Sequence, residues 1–308
     1  MSELRKGVLF GICAYTSWGL FPLFWPLLKP AAAFEILAHR IVWSLVVMAI
    51  LMARLRSLKW LRAIGMYRFR LLALAAGLVS VNWLTYIWAV NSHHVVETAL
   101  GYFINPLVSV LLGVFFLGER VRRAQWAALG IAAIAVVVLT IDYGRLPWIA
   151  LSLAFSFGLY GFVKKKAGVG ALESLTVETG LLFLPALGYL LYVENTGHGT
   201  FGHVSGTKDL LLASCGILTA IPLLWFAAAA NRVPLTSIGL LQYIAPTLQF
   251  LCGVVVMREE MPASRWMGFG LVWVGLAVFA LESVFHRRRQ MRQLKCATAA
   301  IPPGSRPA

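Results

Sequence analysis

Charge is what this 308-residue sequence has least of: only 13% of its residues are Asp, Glu, Lys or Arg, and just 12 are acidic. A soluble domain carries about 25% charged residues, and a chain with so few could not keep its surface wetted. Cysteine is equally thin. The four present, Cys13, Cys215, Cys252 and Cys296, have no pair at metal-ligand or redox spacing, which argues against a zinc cluster or a dithiol centre. Enzyme signatures are missing as well. There is no His-Glu-x-x-His, no Gly-x-Ser-x-Gly and no Walker loop, and His198 and His203 lack a third ligand. No enzyme, ATP-driven pump, cofactor or metal is therefore expected.

What is present is apolar. Hydrophobic residues make up 60% of the chain and mean hydropathy is +0.79, so a lipid bilayer is the expected solvent. Runs near the roughly 20 residues that cross it lie at 7–28, 33–53, 71–90, 98–117, 125–141, 147–163, 173–193, 209–230, 235–256 and 266–284. The first exceeds the 7–15 residues of a signal core and reads as a retained helix. The net charge of +15 would suggest nucleic acid only on a basic face of a soluble module. Here the basic residues cluster between apolar runs, and no nucleic-acid partner is expected.

Those clusters set the orientation. With the N-terminus inside, twenty-one of the 27 Lys and Arg fall on inner segments, among them Arg54, Arg56, Lys59, Arg62, Arg120 and Lys164 to Lys166. Five (Lys29, Arg145, Lys208, Arg258 and Arg265) fall outside, and Arg40 lies within a span. A wrong number of spans would scramble this alternation. The positive-inside bias therefore predicts ten transmembrane helices with both termini cytoplasmic, in the inner (plasma) membrane. From His286 a basic, Pro- and Gly-containing tail is expected to be disordered.

The chain also repeats itself. A shift of 140 places Asn91 on Asn231, Leu100 on Leu240, Pro106 on Pro246, Gly113 on Gly253, Glu119 on Glu259 and Trp126 on Trp266. Shifts of 139 and 138 bring Ser17 to Leu20 onto Ser156 to Leu159 and Glu35 onto Glu173. The expected domains are a first five-helix repeat, 5–141, a second, 146–285, and the tail, 286–308. Five is odd, so the second copy must enter the membrane inverted, the usual construction of a transporter.

The stretches "INPLVSVLLGVFFLGERV" and "IAPTLQFLCGVVVMREEM" resemble the EamA repeat of the drug/metabolite transporter superfamily. "GICAYTSWGLFPLFWPLL", "EILAHRIVWS", "NWLTYIWAVN", "ETALGYFINPL" and "LLQYIAPTLQFL" are similar to its chloramphenicol-sensitive RarD branch, a likeness covering residues 5–285. The resemblance implies plasma-membrane transport of small solutes, with efflux the expected direction.

Several residues could carry that transport. A charge inside a span usually faces a cavity or a partner. Arg40 is such a charge, and Glu178 holds the matching position in the second repeat, about 11 Å apart in depth if the hydrocarbon core is 30 Å thick. Glu35, His39 and Trp43 share a helix face, and His39 could relay protons or form a structural hydrogen bond. Trp83 and Tyr86 share a face of the third span. Tyr102, Asn105 and Pro106 do so on the fourth, and Gln242, Pro246 and Gln249 on the ninth. Paired prolines in equivalent positions point to a helix-break site, although polar residues there could equally be packing bonds. Trp18, Trp83, Trp88 and Trp225 lie deep, whereas Trp60, Trp126, Trp148 and Trp266 read as interface anchors. Glu119 and Glu259, at matching helix exits, are expected to cap loops. The expected function is secondary active export of small organic solutes (amino acids, metabolites or drugs) by alternating access, with the bilayer as surroundings and protons as a candidate coupling ion. A channel or an uncoupled scaffold is the alternative.

Overall fold

The structure is a computed structural model that describes residues 2–55, 64–117, 122–233, 238 and 241–299. Among these residues all regular structure is helical: α1 (Glu3–Phe24), α2 (Ala33–Leu55), α3 (Met66–Asn91), α4 (Val95–Leu117), α5 (Arg123–Tyr143), α6 (Trp148–Ala167), α7 (Ala171–Asn195), α8 (Gly206–Ala230), α9 (Ile244–Leu251) and α10 (Ala263–Ala299). A 3-10 turn, Trp25–Leu28, extends α1, and a π turn, Cys252–Val256, extends α9. Helices are forced on such runs because lipid offers no partner for a backbone N–H or C=O. Their ends are set locally. Ser2 and Ser205 accept backbone N–H bonds at the starts of α1 and α8, and Gly144 and Gly168 close α5 and α6 in the left-handed conformation.

Eight of these helices are long and apolar enough to cross a membrane by length and composition. The two others are α6, which ends in Lys164, Lys165 and Lys166, and the shorter apolar segment Ile244–Val256. The expected ninth span starts at 235, but residues 234–237 and 239–240 lie outside the described residues, as do Trp60, Glu119, Leu240 and the basic residues Arg56, Lys59, Arg62, Arg120 and Arg306. At the other end α10 runs on to Ala299, beyond residue 286, where disorder was expected. Residues 286–299 are rich in Arg, Gln, Met, Leu and Ala, all good helix formers, and hold neither Gly nor Pro.

The packing falls into two groups. One combines α1, α2 and α3 with α6, α7 and α8, the other α4 and α5 with α9 and α10, and the α4–α6 and α1–α9 contacts join them. Exchanging α1–α5 with α6–α10 maps the principal packing pairs onto one another: α3–α6 onto α1–α8, α4–α6 onto α1–α9, and α2–α8 onto α3–α7, while α2–α7, α4–α9 and α5–α10 map onto themselves. The correspondence reaches single residues. A Cβ on Gly19 of α1 would lie 2.7 Å from Leu248 Cβ and 3.1 Å from the Ala245 carbonyl, and one on Gly158 of α6 would lie 3.1 Å from Val108 and 3.4 Å from Asn105. Residues 245 and 248 are residues 105 and 108 shifted by 140.

Large apolar side chains cover the outside, as lipid contact requires: Phe115 is 76% exposed and Leu184 74%. Trp126, Trp148 and Trp266 are also exposed, consistent with interface anchoring, and so is Trp88, which packs on His94 and Trp148 near the C-terminal end of α3. Trp88 therefore lies less deep than its place in the run suggested, because α3 ends only three residues later.

Candidate functional site

Arg40 stands on α2, where the helix passes α3 and α8, and is 4% exposed. Its Nε donates to Thr219 Oγ1 at 2.9 Å, a bond that joins the two halves. The guanidinium carbon lies 3.8 Å from the ring centroid of Trp83, 5.4 Å from Trp25 and 5.9 Å from Phe21. Such a cage replaces part of the hydration lost on burial, because each ring presents a negative face, worth about 2 kcal/mol when desolvated.

Tyr86 and Tyr102 lie beside this cage, their rings edge-to-face at 5.8 Å. The Tyr102 hydroxyl donates to Asn82 Oδ1 at 3.1 Å, and Asn82 Nδ2 donates to the Leu153 carbonyl and to Ser156 Oγ. Asn82 thereby ties α3, α4 and α6 together. From Tyr102 the ring contacts continue to Phe157 at 6.1 Å and on to Tyr160 at 5.9 Å. Tyr160 donates to Glu178 Oε2 at 3.0 Å.

Glu178 is not Arg40's partner. Its carboxylate meets Lys164 Nζ at 3.1 Å and accepts from Ser174 Oγ as well as from Tyr160. Related by the repeat, the two residues nevertheless sit in separate networks at opposite ends of the aromatic row. The neighbouring α6 supplies a lysine, Lys164, that pairs with the Glu178 charge.

The other expected residues divide. Arg40, Trp83, Tyr86 and Tyr102 come together, and Trp18 and Gln249 meet at a second point, where Gln249 Nε2 donates to the Trp18 carbonyl at 3.3 Å. Trp18 there packs against Tyr15 and Phe226. Asn105 faces α6 near Gly158, its Oδ1 without a hydrogen-bond partner among the described residues. Gln242 falls in the turn before α9 rather than on the face of Gln249. His39 stacks on Phe201 at 5.0 Å, with neither ring nitrogen bonded to another described residue. Its neighbour Glu35 holds the Thr200 N–H and hydroxyl, so this face of α2 anchors the 196–205 connection.

The prolines are not equivalent in place. Pro106 lies inside α4, which runs unbroken from Val95 to Leu117. Pro246 lies in the first turn of α9, where a missing N–H leaves no bond unmade. Glu259 does not fix the turn of its own half, the expected role, but caps the other: its carboxylate accepts from the Val95 and Val96 N–H groups at the start of α4.

Phe21, Trp25 and Thr219 are members of the Arg40 cage that sequence reasoning missed. The first two lie in an aromatic-rich run, yet nothing in it says which ring meets the arginine. A separate cavity of about 410 Å³ opens at the ends of α3, α4 and α10 and holds Glu97, Arg145, Glu260 and Arg265. None of the expected site residues lines it. No group of three or more potential metal ligands occurs among the described residues.

The sequence profile of the EamA-like transporter family matches the chain twice, over residues 5–141 and 146–281. A protein named RarD from Streptomyces exfoliatus is 53% identical over 97% of this chain and 96% of its own length. An uncharacterized transporter, YojE, of Bacillus subtilis is 45% identical over 93% of this chain and 97% of its own. A crystal structure 21% identical, with a TM-score of 0.55 and covering 88% of this chain and 96% of its own, shares the fold.

Proposed function

The chain belongs to the EamA-like transporter family, in its RarD branch, and from that premise we propose that this multi-pass inner-membrane transporter exports small organic solutes by alternating access between two inverted halves. The observation that carries the reading is the exchange pattern of the packing, in which the principal contacts between the halves map onto one another when the halves are exchanged. With five helices per half the second copy enters from the opposite side, both termini lie inside, and trading the conformations of the halves trades the open side. The halves are residues 5–141 and 146–285. The binding site centres on Arg40, Trp83, Tyr86 and Tyr102, where the Arg40–Thr219 bond crosses the boundary between halves. Trp18, Asn105, Gln242 and Gln249 extend it, and protons are the candidate coupling ion.

The test is transport by protein reconstituted in liposomes, with labelled amino acids and amphiphilic drugs, with and without a pH gradient. Alternating access predicts saturable flux that speeds up when the far side is loaded with unlabelled solute. Flux that shows no such trans-acceleration would favour a channel, and no flux of any solute would leave a scaffold. Arg40→Ala with unchanged transport would displace the assigned site.

A further inference from the structure

A buried arginine normally meets a carboxylate, because an uncompensated cation in a low-dielectric interior is costly. Arg40 does not. Its Nε is used by Thr219, but its two terminal nitrogens meet no acceptor among the described residues, and no ion pair includes it there. The other buried carboxylates are engaged elsewhere: Glu35 with Thr200, Glu97 with Arg145, and Glu178 with Lys164. The groups around Arg40 share the same deficit. The Tyr86 hydroxyl and the Trp25 Nε1 hydrogen are buried and have no hydrogen-bond partner among the described residues, and both side chains lie beside the guanidinium. Arginine, phenol and indole can all donate, so what they lack in common is an acceptor, and the guanidinium's positive charge favours an anionic one.

On the reading that this cluster is the transport site, we infer that Arg40 binds the carboxylate of the cargo, and that the exported solutes are small monocarboxylic acids with an apolar or aromatic body. A guanidinium presents two parallel N–H donors that match the two oxygens of a carboxylate. One cation answers one negative charge; the nearest lysine along the aromatic row, Lys164, is already paired, which disfavours dianions such as phosphate esters. Phe21, Trp25, Trp83, Tyr86 and Tyr102 supply apolar walls for the body of the acid. Among the described residues the site provides no free carboxylate for an ammonium group, so plain acids fit better than zwitterions.

The experiment is equilibrium binding to purified full-length protein in detergent, measured calorimetrically, with benzoate, phenylacetate and hexanoate each set against its neutral amide. The wild type is expected to bind at least one acid tenfold or more tighter than the matching amide. Arg40→Gln should bring each pair to within about threefold, and Arg40→Lys should retain part of the preference. Circular dichroism checks that each variant is folded. Amides binding as well as acids, no binding of any acid, or a preference that survives in folded Arg40→Gln would overturn the inference. Should Arg40→Gln fail to fold, the wild-type acid-to-amide ratio still decides. Saturable, trans-accelerated export of neutral or cationic solutes alongside no acid preference would sink the carboxylate assignment while leaving the transporter reading intact.

Discussion

A lysine and a glutamate in the interior of a membrane protein stabilise it only as a pair. The Glu178 side chain is 1% exposed and that of Lys164 21%, so removing the lysine strands a charge that water cannot reach. Lys164→Met should therefore cost about 1–3 kcal/mol, less than a fully enclosed pair because Lys164 is partly wet. The Lys164→Met, Glu178→Met double variant should cost less than the two singles together. Unfolding titrations of the four proteins would measure this, and simple additivity would show that the two groups do not interact. Asn82 makes a neutral counterpart. Asn82→Leu strips hydrogen bonds to the Leu153 carbonyl, Ser156 and Tyr102 and should lower stability by about 1 kcal/mol, the usual scale for interhelical bonds in membranes.

Among the helices, α1 comes closer to α9 at Gly19 than α6 comes to α4 at the matching Gly158. At Gly19 an added methyl would press on Leu248 Cβ, an atom held by its own backbone; at Gly158 it would meet side-chain methyls of Val108 and Leu112 that can turn aside. Gly19→Ala is thus expected to cost about 1–3 kcal/mol by overpacking, and Gly158→Ala under about 1 kcal/mol. Thermal unfolding in detergent would rank the two, and the reverse order would contradict the helix spacing described. Glu259 acts at a helix start. Its carboxylate meets two backbone N–H groups at the positive end of α4, so Glu259→Ala should lose about 1–2 kcal/mol and Glu259→Gln less.

For the molecule as a whole, the proposed ten-helix arrangement and the distribution of basic residues predict one orientation. Single cysteines at Ser2 and Lys166 should react with a membrane-impermeant maleimide only after the cells are opened, and one at His203 should react in intact cells. Labelling of Ser2→Cys in intact cells would reverse the orientation. Hydropathy, the Lys/Arg alternation and the shift of 140 make the helical class, the membrane location and the duplication readable from sequence, because each is a property of local runs or of the chain compared with itself. Arg40 was also legible as a charge out of place. Its surroundings were not. Phe21, Trp25 and Thr219 lie 19, 15 and 179 positions from Arg40 along the chain, and only helix packing brings them to one guanidinium. Glu178 carries the same lesson in reverse. Sequence symmetry paired it with Arg40, whereas the structure pairs it with Lys164. A buried charge is matched by whatever lies within a few ångströms, and that distance is set when the helices pack.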